Sequence, residues 1–129
     1  MQRPLHFLVV DDDAFKRELM VNSLHTEFSH ASIYECHSGK EALDFFERNP
    51  VDVVITDHSM HPINGIELVT AIRKRGSSVP IIMVSAYEAI RPEAEAAGVN
   101  LFLSCYWHVL GREIAEFVRQ LGRRDQTEE

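Results

Sequence analysis

The stretch Val53-Val54-Ile55-Thr56-Asp57 decides the fold, because it is an apolar, β-branched run that ends in a carboxylate. An earlier run, Phe7-Leu8-Val9-Val10, ends in the same way, in Asp11-Asp12-Asp13. If the two runs are neighbouring strands of a parallel sheet, their carboxylates meet at the carboxyl edge, where open α/β sheets bind ligands. Carboxylates crowded together repel one another, so the pattern predicts a hard cation such as Mg²⁺ and chemistry on phosphate.

Apolar runs alternate with helical patterns five times along the chain, which indicates βαβ units and an α/β fold. We predict strands at about residues 5–10, 31–36, 51–56, 80–85 and 100–104. The third and fourth runs are almost wholly apolar, as expected of central parallel strands. Helices are therefore expected on both faces of the sheet, in a three-layer arrangement.

The first helix is predicted to start at Asp13 as N-cap, followed by Phe15, Leu19, Leu24 and Phe28 at helical spacing. We expect this apolar stripe to face the sheet.

Two later helices begin with the spacing of a capping box, Ser38 with Glu41 and Asn64 with Glu67. Between the fourth and fifth strands, Pro92 is expected in the first turn of a short helix.

An apolar stripe at helical spacing marks the last helix: Leu110, Ile114, Phe117 and Leu121. Gly122 is predicted to end this helix, which leaves residues 123–129 as a polar tail after a single domain of residues 1–122.

Composition excludes several classes of protein. No apolar run approaches the length of a membrane span and no secretory signal opens the chain, so a cytoplasmic protein is expected. The formal net charge of −7 disfavours a nucleic-acid or membrane partner and favours protein partners. Cys36 and Cys105 lack CxxC spacing, which argues against a disulfide framework and against zinc.

Taken together, these residues resemble the receiver domain of bacterial response regulators over nearly the whole chain. Asp57 matches the family's phosphoacceptor, and Asp11 and Asp12 match its metal-binding acid pair. Residues 57–68 resemble the loop that leads to the third helix, with proline one place later than usual. Ser85-Ala86 matches the family's pair of a hydroxyl and a small residue.

The resemblance implies a flavodoxin-like sheet in the order 2-1-3-4-5 and transfer of a phosphoryl group to Asp57 from a histidine kinase or phosphotransfer protein. It also implies an Mg²⁺ site formed by Asp11, Asp12, Asp57 and the backbone carbonyl of Ser59. Ser85 is then the hydroxyl that moves toward the phosphoryl group as a switch. Such a domain is a phosphoacceptor rather than a conventional enzyme, with at most slow self-phosphorylation and dephosphorylation.

The chain departs from the family at Cys105, which aligns with a nearly universal lysine that contacts the phosphoryl group. A thiol cannot neutralise charge there, and loss of such a contact commonly costs on the order of 3 kcal/mol of transition-state stabilisation. An arginine such as Arg91 is a candidate replacement. Tyr106 stands where the family has proline after a usually cis peptide bond, so this loop is expected to be trans and remodelled.

Alternatives remain open at this stage. A pseudo-receiver could dock partners without phosphorylation, and Asp11 with Asp13 has the spacing of a haloacid dehalogenase-type phosphatase. A flavodoxin-like flavin binder is less well supported, because the loop after the first strand is acidic. Tyr106 and Trp107 either plug space or bind a partner, whereas His58 and His61 are expected to be exposed bystanders.

We therefore expect a stand-alone atypical receiver that signals through contacts with a downstream target protein. A homodimer through the last strand and helix is a further possibility. Cys105→Lys is expected to speed phosphorylation if the missing cation is the main defect.

Overall fold

The protein is described here from a computed structural model, which covers residues 4–104 and 107–128. For residues 107–109 and 123–128 only the backbone is described. Cys105 and Tyr106 lie outside the described residues, so the expectations for them stay predictions.

Five strands form one sheet, in which each strand runs parallel to its neighbours, in the order β2-β1-β3-β4-β5. This confirms the expected strand order. Each strand lies within two residues of its expected position: β1 (His6–Val10), β2 (Ser32–Cys36), β3 (Val53–Asp57), β4 (Ile81–Ser85) and β5 (Leu101–Ser104).

Five helices cover the two faces of the sheet: α1 (Ala14–Glu27), α2 (Gly39–Arg48), α3 (Gly65–Lys74), α4 (Arg91–Ala97) and α5 (Trp107–Glu128). Helices α1 and α5 pack on one face, around Met20, Leu24, Leu110 and Ile114. Helices α2, α3 and α4 cover the other face. Among the described residues, no helix combines the length and the apolar character needed to cross a membrane.

Local signals in the sequence set most helix starts. Asp13 caps α1 by accepting hydrogen bonds from the backbone N–H groups of Phe15 and Lys16, at 2.9 and 3.1 Å. Ser38 caps α2, and Asn64 caps α3 in a complete capping box. Helix α4 has only seven residues, carries Pro92 in its first turn and follows a 3₁₀ turn at Glu88–Ile90, as predicted for a shortened helix.

The prediction that Phe15 faces the sheet is wrong. Its side chain is 69% exposed, whereas Met20 and Leu24 are buried. Phe15 lies five residues before Met20, which places it about 140° around a helix of 3.6 residues per turn. It is therefore on the outer face of α1, while Leu19 and Phe28 are only half-buried.

The predicted helix end at Gly122 is also wrong, because α5 continues to Glu128. Glycine ends a helix where the chain must turn into the left-handed region, as Gly76 does after α3 with φ of +84°. Gly122 does not have a positive φ, and a glycine inside a helix costs only about 1 kcal/mol relative to alanine. The assignment of residues 1–122 as the domain stays a prediction.

Candidate functional site

The parallel register brings two of the predicted site acids together. Val10 pairs with Thr56 across β1 and β3, so the residues that follow them, Asp11 and Asp57, lie side by side at the carboxyl edge. Asp12 joins them. One carboxylate oxygen from each of the three residues lies within 4.8 Å of the other two. In the described part of the chain, this trio is the only cluster of histidine, cysteine and acidic side chains so close, and His58 and His61 are not part of it.

Asp11 is the most buried member of the trio, with 7% of its surface exposed. Burial raises its pKa from 3.8 to about 6, and the nearby charge of Asp57 raises it as well. The backbone N–H of Asp13 donates to Asp11 Oδ1 at 2.9 Å, and this bond together with the charge of Lys16 opposes the increase. The carboxyl is thus held in an environment that disfavours its charge unless a cation is close.

Asp57 ends β3 and is half-buried. Burial raises the pKa of its carboxyl, while the N–H of His58, the ammonium of Lys16 and the N–H of Ser59 lower it. The His58 N–H donates to Asp57 Oδ1 at 2.8 Å. Ser59, predicted to offer its carbonyl to the metal, therefore lies directly beside this carboxyl, with its side chain exposed.

Gly65 holds the loop after Asp57 close to the sheet. Its backbone N–H donates to the carbonyl of His58 at 2.9 Å, and a side-chain carbon at this position would contact the Asp57 carbonyl and lie 2.8 Å from His58 Cα. Only glycine allows α3 to begin so near the acid. The Asn64-Gly65 pair seen in the sequence thus positions Asp57 through the backbone.

Ser85 ends β4 at the same edge as Asp57. It follows Val84, which pairs with Asp57, and it is buried, with 1% of its surface exposed. Its hydroxyl oxygen accepts a hydrogen bond from the Tyr87 N–H at 3.1 Å. Ser85 therefore lies one residue beyond the strand partner of Asp57, with a hydroxyl hydrogen available to donate.

Asp13 does not share the site of Asp11. Its carboxylate caps α1 and is exposed. The dehalogenase-type interpretation needs this residue as an acid partner of Asp11, so the capping role argues against it.

Two cations near the acids were not anticipated from the sequence. Lys16, in the first turn of α1, lines a small cavity together with Asp11, Asp57, Met20, Ile55 and Val84. Arg17 donates to the Asp11 backbone carbonyl at 2.7 Å and to Glu35 at 3.1 Å. The sequence does contain a signal for these two cations. They stand three and four residues after the N-cap Asp13, in the first turn of a helix that begins at the carboxyl edge of the sheet.

Arg91, the candidate replacement for the missing family lysine, has other contacts. Its guanidinium lies 3.7 Å from a Glu88 oxygen and 4.0 Å from a Glu95 oxygen, and over the Phe102 ring. The structure thus directs Arg91 toward its own helix and β5 rather than the acid trio.

The donor set of the trio fits a hard divalent cation. Its ligand atoms are all carboxylate oxygens, which Mg²⁺ prefers. Burial raises the pKa of both Asp11 and Asp57, so a nearby cation would favour their charged forms. Asp11, Asp12 and Asp57 are the residues that could hold it.

The fold and this edge define a doubly wound α/β protein with an acidic site at the carboxyl ends of β1 and β3. The chain belongs to the response regulator receiver domain family, whose model matches residues 7–106. Members of this family act as phosphoacceptors in two-component signalling and bind Mg²⁺ at an acidic pocket.

Similar proteins agree with this assignment. A chemotaxis protein CheY homolog of Campylobacter jejuni is 39% identical over 105 residues, which cover 77% of this chain and 79% of that protein. The response regulator MprA of a Mycobacterium species is 34% identical over 98% of this chain, although the match spans only 54% of MprA.

Solved structures show the same architecture. The response regulator TrrA of Thermotoga maritima, determined in complex with Mg²⁺–BeF, has a TM-score of 0.80 and 30% identity, covering 91% of this chain and 98% of that one. The response regulator domain of Thermotoga maritima CheB has a TM-score of 0.81 and 29% identity, covering 92% and 96%.

Proposed function

We propose that this domain accepts a phosphoryl group on Asp57 from a phosphorylated histidine of a histidine kinase or phosphotransfer protein. It then signals through contacts with a downstream target protein. The observation that supports this proposal best is the trio of Asp11, Asp12 and Asp57, whose carboxylate oxygens converge within 4.8 Å at the end of β3.

The metal site of the proposal consists of Asp11, Asp12, Asp57 and the backbone carbonyl of Ser59. An Mg²⁺ ion held there supplies positive charge that offsets repulsion between the carboxylates and the incoming phosphoryl oxygens. The similar response regulator TrrA has been determined in complex with Mg²⁺–BeF, which supports this assignment.

The proposed nucleophile, Asp57, is restricted in position by its neighbours. The His58 N–H donates to Oδ1, the hydroxyl of Thr56 donates to the Asp57 backbone carbonyl at 2.8 Å, and Gly65 leaves room for the loop that follows. A carboxylate held in this way needs no general base, since it attacks in its charged form.

Ser85 is proposed to report the modification. Its buried hydroxyl lies at the end of the strand next to β3 and can donate a hydrogen bond to an acyl phosphate on Asp57. This donation draws Ser85 and the following residues, including the exposed Tyr87, toward the site. A partner that contacts the loop between β4 and α4 can thereby distinguish the two states.

A second candidate is a pseudo-receiver that docks partners without phosphorylation. Two features favour it: Cys105 replaces the family lysine in the sequence, and α4 has only seven residues. The two candidates share the fold and differ in whether Asp57 is modified.

Intact mass spectrometry after incubation with Mg²⁺ and phosphoramidate separates these candidates. A gain of one phosphoryl group is expected in the wild type, and no gain in Asp57→Asn or when EDTA replaces Mg²⁺. Asp44→Asn is the matched control, because Asp44 is an exposed acid of α2 outside the trio. Absence of any gain in the wild type at high donor concentration would refute phosphorylation and support the docking module.

A further inference from the structure

Lys16 occupies a position that helix stability does not explain. It is half-buried in the first turn of α1, a turn that contains no acidic residue. The first turn carries the positive end of the helix dipole, where a lysine is unfavourable and an acid is preferred. One negative charge near this turn is the N-cap carboxylate of Asp13, which accepts a hydrogen bond from the Lys16 N–H at 3.1 Å.

Two further negative charges near Lys16 belong to the site acids, of which Asp11 is buried and Asp57 is half-buried. Lys16 lines the same cavity as Asp11 and Asp57, and its charge lowers the pKa of both carboxyls against the larger effect of burial. The same cavity is also lined by apolar side chains that include Met20, Ile55 and Val84, which provide apolar surroundings for the methylene chain of the lysine.

The other cations considered for this task are held elsewhere. Arg17 donates to Glu35 and to the Asp11 backbone carbonyl, and Arg91 pairs with Glu88 and Glu95. In contrast, no carboxylate among the described residues forms a direct ion pair with the Lys16 ammonium, which can therefore move toward an incoming anion.

We propose that Lys16 supplies from α1 the positive charge on the transferring phosphoryl group that typical receivers supply from the position of Cys105. This inference rests on the proposed function of Asp57. A lysine carries a compact charge on four flexible methylene groups and three donor hydrogens, which suits it to contact phosphoryl oxygens from a neighbouring helix.

In the proposed step, an oxygen of the Asp57 carboxylate forms a bond to phosphorus while the phosphorus–nitrogen bond of the donor breaks. The departing nitrogen keeps the electron pair of that bond. Phosphoramidate with a protonated nitrogen releases ammonia, and a phosphohistidine protonated on its other ring nitrogen releases neutral imidazole. The Lys16 ammonium donates hydrogen bonds to the phosphoryl oxygens.

The position of Lys16 predicts opposite effects on metal and on phosphoryl binding. Its charge repels a divalent cation bound by Asp11 and Asp57, but attracts the anionic phosphoryl group. Lys16→Met is therefore expected to bind Mg²⁺ about tenfold more tightly by calorimetry, because one positive charge near the trio is removed. The same variant is expected to take up phosphoryl from phosphoramidate at least about tenfold more slowly at saturating Mg²⁺.

Lys40→Met is the matched control. Lys40 is an exposed lysine in the first turn of α2, so the substitution makes the same change in net charge and in helix-end charge. It is expected to leave both measurements within about twofold of the wild type. Lys16→Arg, which keeps the charge, is expected to retain most of the phosphorylation rate.

A double-mutant cycle tests whether Lys16 performs the task of the lysine that typical receivers have at the position of Cys105. With Cys105→Lys present, Lys16→Met is expected to slow phosphorylation much less than it does in the wild-type background, because residues that perform one task are not additive. Equal effects in both backgrounds would show that Lys16 does not act in place of the family lysine.

The outcomes distinguish this inference from the proposed function. If the wild type gains a phosphoryl group and Lys16→Met gains it equally fast, only the role of Lys16 is refuted. A faster rate together with tighter Mg²⁺ binding in Lys16→Met would show that the lysine merely competes with the metal, which also overturns the inference. A wild type that gains no phosphoryl group refutes the proposed function and the role of Lys16 with it.

Discussion

Replacing the most buried site acid should make the metal-free protein more stable. In the folded protein the Asp11 carboxyl keeps its proton up to a pH of about 6, whereas an ordinary aspartic acid loses it near 3.8. Between these values the folded state binds more protons than the unfolded state, so the free energy of unfolding falls as the pH rises. A difference of about 2 pKa units corresponds to about 3 kcal/mol of lost stability at neutral pH.

Asp11→Asn removes this charge and keeps an oxygen that can accept the hydrogen bond from the Asp13 N–H. In EDTA at about pH 7.5 the variant should therefore have a free energy of unfolding up to about 3 kcal/mol above that of the wild type. At about pH 4.5 the wild-type carboxyl is mostly protonated in the folded state, and the advantage of the variant should fall to about 1 kcal/mol. Urea denaturation followed by circular dichroism measures both values.

Excess Mg²⁺ should reduce or reverse the difference at about pH 7.5. A ligand that binds only the folded protein stabilises it by mass action, and Asp11→Asn lacks one of the three carboxylates of the site. Asp44→Asn serves as the control, with little change expected in either buffer. A variant no more stable than the wild type in EDTA, or one whose advantage is as large at about pH 4.5 as at about pH 7.5, would refute the assignment of a strained carboxyl to Asp11.

Three further predictions concern the residues that hold the site and the fold. Gly65→Ala should lower the free energy of unfolding by about 1–3 kcal/mol and slow phosphorylation of Asp57, because the added methyl group overlaps the loop after β3; an unchanged denaturation midpoint would contradict this. Asp13→Ala should cost about 1 kcal/mol in the same assay through loss of the α1 cap, and Mg²⁺ affinity measured by calorimetry should persist because Asp13 lies outside the trio. Arg73→Met should cost about 2–3 kcal/mol, since its guanidinium donates to backbone carbonyls that include that of Gly98 at 2.7 Å; a loss below about 0.5 kcal/mol would show that water replaces these bonds.

Much of the fold was predictable because its determinants are local. The strand patterns predicted all five strands within two residues. They are clearest for the central strands β1, β3 and β4, because a central parallel strand is covered on both faces and is therefore apolar. The capping box of Asn64 and Glu67 predicted the start of α3 for the same reason, as both of its hydrogen bonds join residues three apart.

The acid trio was predictable for a different reason. The pair Asp11-Asp12 and the single Asp57 come at the carboxyl ends of two apolar strand patterns, and the carboxyl ends of parallel strands meet at one edge. The sequence pattern was therefore enough to identify these acids as candidates. That Asp11 lies beside Asp57 follows from the pairing of Val10 with Thr56, which exists only in the assembled sheet.

Two predictions from local sequence patterns were wrong, because tertiary packing rather than the pattern decided the structure at those positions. Phe15 has helical spacing with Leu19, yet it lies on the outer face of α1, since the direction of the buried face is set by where the helix crosses the sheet. Glycine is common at the C-terminal end of a helix, but the chain does not turn into the left-handed region at Gly122, so α5 continues.

The sequence by itself determined the strands, the capped helix starts and the identity of the site acids, because each depends on residue type and on spacing along the chain. Tertiary structure alone decided which cation accompanies those acids. Arg91 was the natural candidate from the sequence, yet its guanidinium lies against Glu88, Glu95 and Phe102. Lys16 lines the cavity beside Asp57 although it is 41 residues away in the chain, since α1 begins where β1 ends and β1 pairs with β3.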